Sequence, residues 1–284
     1  MEPSREAGAL FDRIADAWTE LLPLYLDAPR FSGGMGFQRV KGIEYVVRYW
    51  QDSASGRKRM SSLGRRTRES EQAVAAFLAE REEHASRLRA LEAGLAADCR
   101  LAKAHRFARM PADAAAHARA LSISGMLGET VAMAGAAAAF GYEAITRTRA
   151  DGRLVTQGIP FPFRFVVGPE ATDLDLELVM ISAAFDPSTA SRTEHDGCVA
   201  FLGTDGRSVE FFDRSRFVHG AAPDASAVAV SRDSRAAPVV AVDPALWLEV
   251  EDRFPSRDPA ADERRAFVDG LAPDFGGPGA PGPG

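Results

Sequence analysis

The sequence predicts an α+β fold, because helical and strand-like patterns occupy different stretches of the 284-residue chain. Residues 69–101 place apolar side chains at helical spacing, and residues 112–145 are rich in alanine. Short apolar or alternating runs between residues 154 and 242 are typical of strands. A hydrophobic content of 46%, with no apolar run long enough to span a bilayer, indicates a globular chain and no membrane partner.

The N-terminal region, residues 1–120, is predicted to be a helix, a β-hairpin and a second helix. Residues 10–22 have the spacing of a short amphipathic helix. Residues 37–50 and 58–63 have strand-like composition and are separated by a Ser-Gly turn, which predicts a small antiparallel sheet. The long helical pattern over residues 69–101 follows. We expect this region to be accessory to the rest of the chain.

The C-terminal region, residues 121–272, is predicted to form a mixed sheet flanked by helices. Helical pattern continues to Gly141, and a last helical stretch covers residues 244–271. Residues 273–284 are mainly glycine and proline, which cannot bury apolar surface, so we expect a disordered tail. The predicted strands are residues 154–159, 163–167, 174–180, 198–202, 209–212 and 239–242.

The charge is distributed unevenly along the chain. Residues 1–120 have a net charge of +4 and residues 121–284 a net charge of −10, which suggests two regions with different functions. Cys99 and Cys198 lie far apart and lack the spacing of a zinc site, which favours reduced thiols. The first residues lack the pattern of a secretory signal, so we expect a cytoplasmic protein.

The segment 172–178 is the strongest candidate for chemistry. On a strand, Asp173, Asp175 and Glu177 would share one face, and leucines would occupy the other. Carboxylates at this spacing repel each other, and a bound Mg²⁺ (or Mn²⁺) would relieve the repulsion. The alternative is a half-exposed strand with a solvated acidic face.

Glu210 is the candidate for a third carboxylate, because it interrupts an apolar strand pattern. If its strand lies beside the first, Asp173, Asp175 and Glu210 could together hold two metal ions, the arrangement used in phosphoryl transfer. The alternative is that Glu210 forms an ion pair with an arginine at a strand edge.

A glycine turn lies upstream of these acids. Gly135 and Ala136 stand at the start of an alanine-rich helix, where backbone amides could approach a phosphate. Small residues at such a position are also typical of tight helix packing, and both interpretations stay open.

The order of these motifs resembles that of the nucleotidyltransferase fold shared with DNA polymerase β: a glycine turn comes first, then Asp173 and Asp175, then a later acid. The chain is also similar to a family of uncharacterised bacterial nucleotidyltransferase-like proteins. The similarity rests on Gly-Phe-Gln-Arg-Val-Lys-Gly at 36–42, Ser-Leu-Gly at 62–64, Val-Asp-Pro at 242–244 and Arg-Asp-Pro at 257–259.

The resemblance implies the transfer of a nucleoside monophosphate from a nucleoside triphosphate to an unknown hydroxyl acceptor, which could be a small molecule, a protein or RNA. It also implies that Asp173, Asp175 and Glu210 bind Mg²⁺, that Asp175 and Glu210 are catalytic, and that Gly135 and Ala136 bind the triphosphate. The sequence departs from the family pattern at Ala136, where a hydroxyl residue is usual, and at Glu210, where aspartate is usual. A non-enzymatic nucleic-acid-binding or interaction protein on a degenerate nucleotidyltransferase scaffold is therefore the alternative.

The predicted hairpin is strongly basic and contains aromatic residues. Such a surface can bind nucleic acid by phosphate contacts and stacking, or it can be a solvated edge that prevents aggregation. The residues concerned are Arg57, Lys58, Arg59, Arg65, Arg66 and Arg68, with Tyr45, Tyr49 and Trp50.

Overall fold

The computed structural model describes residues 5–52, 56–105, 109–150, 154–155, 162–221, 224–256 and 258–275. The chain forms two compact units, a large one of Met1–Trp18 with Leu95–Gly284 and a small one of Thr19–Gly94. Helix α1 (Arg5–Asp27) and helix α2 (Arg68–Ala104) each contribute residues to both units. The predicted boundary at residue 120 lies within the large unit.

The small unit contains a three-stranded antiparallel sheet in the order β1-β2-β3. The strands are β1 (Gly34–Val40), β2 (Ile43–Gln51) and β3 (Lys58–Arg65). Lys41 and Gly42 form the two-residue turn between β1 and β2, and both have positive φ, which matches the twist of a hairpin. The predicted antiparallel sheet and the two helices that flank it in sequence are confirmed.

The large unit contains an eight-stranded mixed sheet in the order β4-β10-β11-β5-β6-β9-β8-β7. Its strands are β4 (Arg109–Met110), β5 (Val131–Met133), β6 (Phe163–Val167), β7 (Ser191–His195), β8 (Cys198–Leu202), β9 (Ser208–Asp213), β10 (Ala225–Ser231) and β11 (Ala236–Ala241). Strand β6 pairs in parallel with β9 and antiparallel with β5. The predicted mixed sheet is confirmed.

Helices cover both faces of this sheet. They are α3 (Ala112–Ile123), α4 (Gly135–Thr146), α5 (Asp173–Ser182), α6 (Pro244–Arg253) and α7 (Ala261–Phe275). Helix α3 packs beside α5 on one face, where its His117 contacts the rings of Phe163 and Phe165. Helices α4, α6 and α7 pack together on the other face, where Arg164 is paired with Glu251 of α6. The sheet is therefore the middle layer of three.

The prediction of a strand at residues 174–180 is wrong, because this segment is helix α5. Thr172 caps the helix: its hydroxyl accepts from the Asp175 backbone N–H, and the Asp175 carboxylate accepts from the Thr172 backbone N–H. The buried residues Leu176, Val179 and Met180 follow the helical period rather than alternating. A reciprocal cap therefore outweighs the short alternating pattern.

Other predicted elements differ in extent. The alanine-rich stretch is divided into α3 and α4 by strand β5, and the last helical stretch is divided into α6 and α7. Strands β4, β5, β7 and β10 were not predicted. The predicted strand 154–159 lies mostly outside the described residues, as does most of the predicted tail.

Two further findings concern membrane-spanning helices and the cysteines. Within the described part of the chain, no helix combines the length and apolarity needed to cross a bilayer. Cys99 and Cys198 are both buried and unbridged.

Candidate functional site

Asp173 and Asp175 lie in the first turn of α5, where carboxylates interact favourably with the helix dipole. Asp173 pairs with Arg192 of β7 at 3.1 Å. Asp175 accepts from the backbone N–H and the hydroxyl of Thr172 at 2.8 and 2.7 Å. These hydrogen bonds, the backbone one first, hold the pKa of Asp175 below its usual value. Both carboxylates therefore have local structural partners.

Glu210 lies on β9 directly opposite Arg164 of β6. The Arg164 guanidinium donates through Nε to Glu210 at 2.8 Å and through Nη1 to Glu251 at 2.7 Å. Only 5% of the Arg164 side chain and 20% of the Glu210 side chain are exposed. Glu210 therefore forms an ion pair with an arginine, which was the alternative interpretation of the sequence.

The predicted cluster of three carboxylates does not form. Successive side chains of a strand point to opposite faces, so Arg164 points away from the face on which Phe163 and Phe165 contact α3. Helix α5, which carries Asp173 and Asp175, packs on the α3 face, and Glu210 joins Arg164 on the other face. Among the described residues, no group of three or more His, Cys, Asp or Glu side chains is arranged to hold a metal ion.

Gly135 begins α4 as predicted, but its surroundings are packed. Its φ of +57° is in the left-handed region, which glycine adopts more readily than other residues. A β carbon at this position would lie 2.9 Å from Arg164 Cδ. The Trp247 indole N–H donates to the Gly135 carbonyl at 2.8 Å, and Ala136 is buried. The small residues therefore permit close packing of α4 against Arg164 and Trp247, the second of the two interpretations.

No family model, curated protein or solved structure matches the chain. The resemblance to nucleotidyltransferases stays a prediction.

The three-stranded sheet of the small unit has one face that contacts α2 and one that is open. Arg48 of β2 lies over the ring of Phe77 of α2, with the guanidinium carbon 5.1 Å from the ring centre. Tyr45, Val47 and Tyr49 alternate with Arg48 and therefore point to the other side. We call that side the open face. Cross-strand pairing adds Gln38, Val40, Lys58, Met60, Ser62 and Arg65 to it.

The open face combines apolar and basic side chains. Tyr49 is 47% exposed and Met60, directly opposite on β3, is 55% exposed. Lys58 and Arg65 lie at the two ends of β3. They are seven residues apart, and a register shift opposite Val46 and Val47 of β2 brings both to the open face. Val47, which lies between Tyr45 and Tyr49 in the sequence of this face, is buried. A surface of this composition can contact flat apolar groups and anions at the same time.

Much of the positive charge around this sheet is not neutralised. Residues 34–68 contain nine lysines and arginines and two acids. Arg59 is paired with Asp52, and Arg66 is paired with Glu44 and Glu71. Within the part of the chain that the structure describes, the following form no ion pair: Arg39, Lys41, Lys58, Arg65 and Arg68.

A shallow cleft of about 620 Å³ extends this basic surface to the start of α2. Arg39, Arg65 and Arg68 line it. Thr67 caps α2, since its hydroxyl accepts from the Ser70 backbone N–H at 3.2 Å. The sequence identified the arginines of β3 but not Arg39, which the pairing of β1 with β2 brings to the same end of the sheet. The alternation of residues along β2 is the sequence signal that could have assigned Tyr45 and Tyr49 to one face of the sheet and Arg48 to the other.

Proposed function

We propose that this protein binds nucleic acid through the open face and its basic surroundings. The observation that carries the proposal is the placement of Lys58 and Arg65 on the same sheet face as exposed Tyr49 and Met60. Phosphates supply the anions that unpaired arginine and lysine attract, and bases supply the flat apolar groups that aromatic side chains contact.

The charge of the whole chain makes a local surface necessary. The protein has a net charge of −6, so its overall charge repels a polyanion. Association therefore depends on the excess of basic side chains over residues 34–68. Because screening weakens exposed charges at high salt, the affinity should fall steeply as salt is raised.

The positions of the predicted metal and phosphate ligands give nucleotidyl transfer less support than the open face gives nucleic-acid binding. Its predicted ligands lie on opposite faces of the large sheet, and Glu210 is held by Arg164. The predicted phosphate turn at Gly135 is filled by Arg164 and Trp247. The family resemblance remains its only basis.

The experiment measures binding of a labelled oligonucleotide by fluorescence anisotropy over a range of salt concentrations. Lys58→Ala, Arg65→Ala and Arg68→Ala are combined in one variant. Each lost phosphate contact should reduce the slope of log affinity against log salt by about 0.7 to 0.9. The expected result is weaker and less salt-dependent binding.

A matched control removes three positive charges elsewhere. Arg87, Arg100 and Lys103 are exposed on α2, and none of them forms an ion pair among the described residues. Replacing these three with alanine changes the net charge equally and should leave the salt slope unchanged. Equal losses in both variants would show that only overall charge matters, and no salt-sensitive binding by the unaltered protein would refute the proposal.

A further inference from the structure

The ring of Tyr49 lies across the neighbouring strand. A β carbon added to Gly34 of β1 would overlap the Cζ and Oη atoms of Tyr49 and lie 2.7 Å from its Cε2 atom. Gly34 is buried, and Tyr49 covers it. The tyrosine ring therefore rests on the backbone of β1 while nearly half of the residue remains exposed.

The described residues that share the open face with this ring include no aspartate or glutamate. Apart from Gly36 and its two chain neighbours, no described residue has a heavy atom within 4 Å of the place that a β carbon on Gly36 would occupy. Met60 faces Tyr49 from β3, and Lys58 lies two residues before it on the same face. A flat group placed on the ring would thus have an apolar neighbour and a cation close by.

The geometry of the ring distinguishes between forms of nucleic acid. In a duplex the faces of the bases are covered by their neighbours, and only base edges are displayed in the grooves. In a single strand the faces are free, and stacking on an aromatic side chain is tolerant of sequence. A ring that rests against a sheet offers its outer face, so it can contact a base only when that base is unstacked.

We infer that the open face selects single-stranded nucleic acid by stacking a base on Tyr49, with Lys58 and Arg65 contacting phosphates at different points of the same strand. This inference rests on the proposed function. Lys58 and Arg65 are separated along β3 by roughly 23 Å at the usual rise per residue, which allows them to contact different phosphates of one strand.

The first test uses the unaltered protein. Fluorescence anisotropy compares a single-stranded DNA oligonucleotide, the RNA of the same sequence and the corresponding DNA duplex at one salt concentration. Tighter binding of either single strand than of the duplex is expected. Equal or tighter binding of the duplex would overturn the inference while leaving the proposed function in place, and binding of none of the three would overturn both. The DNA and RNA arms show which sugar is preferred.

The second test changes the ring. Tyr49→Ala should weaken single-strand binding by roughly 5- to 150-fold, the effect of losing one stacked base. Tyr49→Phe keeps the ring and should bind within about twofold of the unaltered protein. Trp50→Ala is the matched control, because Trp50 is an exposed aromatic of the same strand on the other face, opposite Arg59.

Melting curves accompany each variant to show that it is folded. If Tyr49→Ala binds like the unaltered protein, or if Trp50→Ala loses as much affinity as Tyr49→Ala, stacking on Tyr49 is refuted. If Tyr49→Ala does not fold, the comparison of strand with duplex and the Tyr49→Phe variant still decide the question.

Discussion

Arg164 and Glu210 lie opposite each other on adjacent parallel strands, and the arginine Nε donates to the carboxylate at 2.8 Å. Arg164 also donates to Glu251, so one buried guanidinium joins two strands to helix α6. A buried charge that loses its partner is strongly unfavourable, so the pair should contribute to the stability of the protein.

Glu210→Gln is expected to lower the free energy of unfolding by about 3 kcal/mol or more, because Arg164 stays buried with less compensation. Urea denaturation measures the change. Glu194→Gln on the exposed strand β7 is the control and should have little effect. An increase in stability would contradict this structural role, since removing one member of a crowded carboxylate cluster relieves repulsion.

Gly135→Ala is expected to destabilise the protein by about 1–2 kcal/mol or more, because a β carbon is unfavourable at φ of +57° and would also meet Arg164. Gly94→Ala is the counterpart, since Gly94 lies within α2 with open space around it. That change should stabilise the protein by up to about 1 kcal/mol. Denaturant midpoints compare the two, and equal effects would refute the packing explanation.

His117 is expected to make stability depend on pH. It is buried against the rings of Phe163 and Phe165, and within the described part of the chain neither of its ring nitrogens forms a hydrogen bond of normal geometry. Burial lowers its pKa to about 4, against a smaller opposing effect of the Val179 backbone. His117 therefore binds a proton more readily in the unfolded chain than in the folded one. The stability that comes from burying the neutral imidazole is complete above about pH 6.5 and is lost as the pH falls toward 4.

The measurement is the melting temperature between pH 7 and pH 4.5. His117→Phe retains a ring in the core and should flatten the dependence in this range. His195→Phe, on exposed strand β7, should leave it unchanged. The same slope in His117→Phe as in the unaltered protein would show that another group is responsible.

Thr172→Ala is expected to destabilise the start of α5 by about 1 kcal/mol, because the hydroxyl no longer accepts from the Asp175 backbone N–H. Thr172→Ser keeps the hydroxyl and should recover most of the loss. Unfolding free energies of the two variants decide the matter. Equal stability of both variants would mean that the cap contributes little.

Mg²⁺ together with a nucleoside triphosphate is expected to leave the melting temperature unchanged. Arg164 and Trp247 pack against the Gly135 turn, and Arg164 holds Glu210 on the face of the sheet opposite α5. A ligand that binds the native state would raise it. A rise that disappears in the Asp173→Asn, Asp175→Asn double variant would contradict this expectation and support nucleotidyl transfer.

Local patterns in the sequence determined much of the fold. The strand-like runs at residues 37–50 and 58–63, separated by a Ser-Gly turn, predicted the small antiparallel sheet. The apolar stretches at Phe163–Val167 and Cys198–Leu202 predicted strands with these bounds. These features depend on neighbours within a few residues, so the sequence alone contains them.

The segment 172–178 shows where a local pattern is ambiguous. Its alternating leucines fit a strand, whereas the spacing of Thr172 and Asp175 fits a helix cap, and both patterns are present in the same few residues. Packing beside α3 buries Leu176, Val179 and Met180 together, which only a helix can do.

Only the tertiary structure decided which side chains meet. Arg164 pairs with Glu210 and Glu251, and Tyr49 contacts Gly34, so each of these contacts joins residues from different elements. Asp175 lies on the opposite face of the large sheet from Glu210, because α5 packs beside α3. Such contacts depend on strand order, register and the face each helix covers, and these are set by the burial of the whole chain rather than by any local segment.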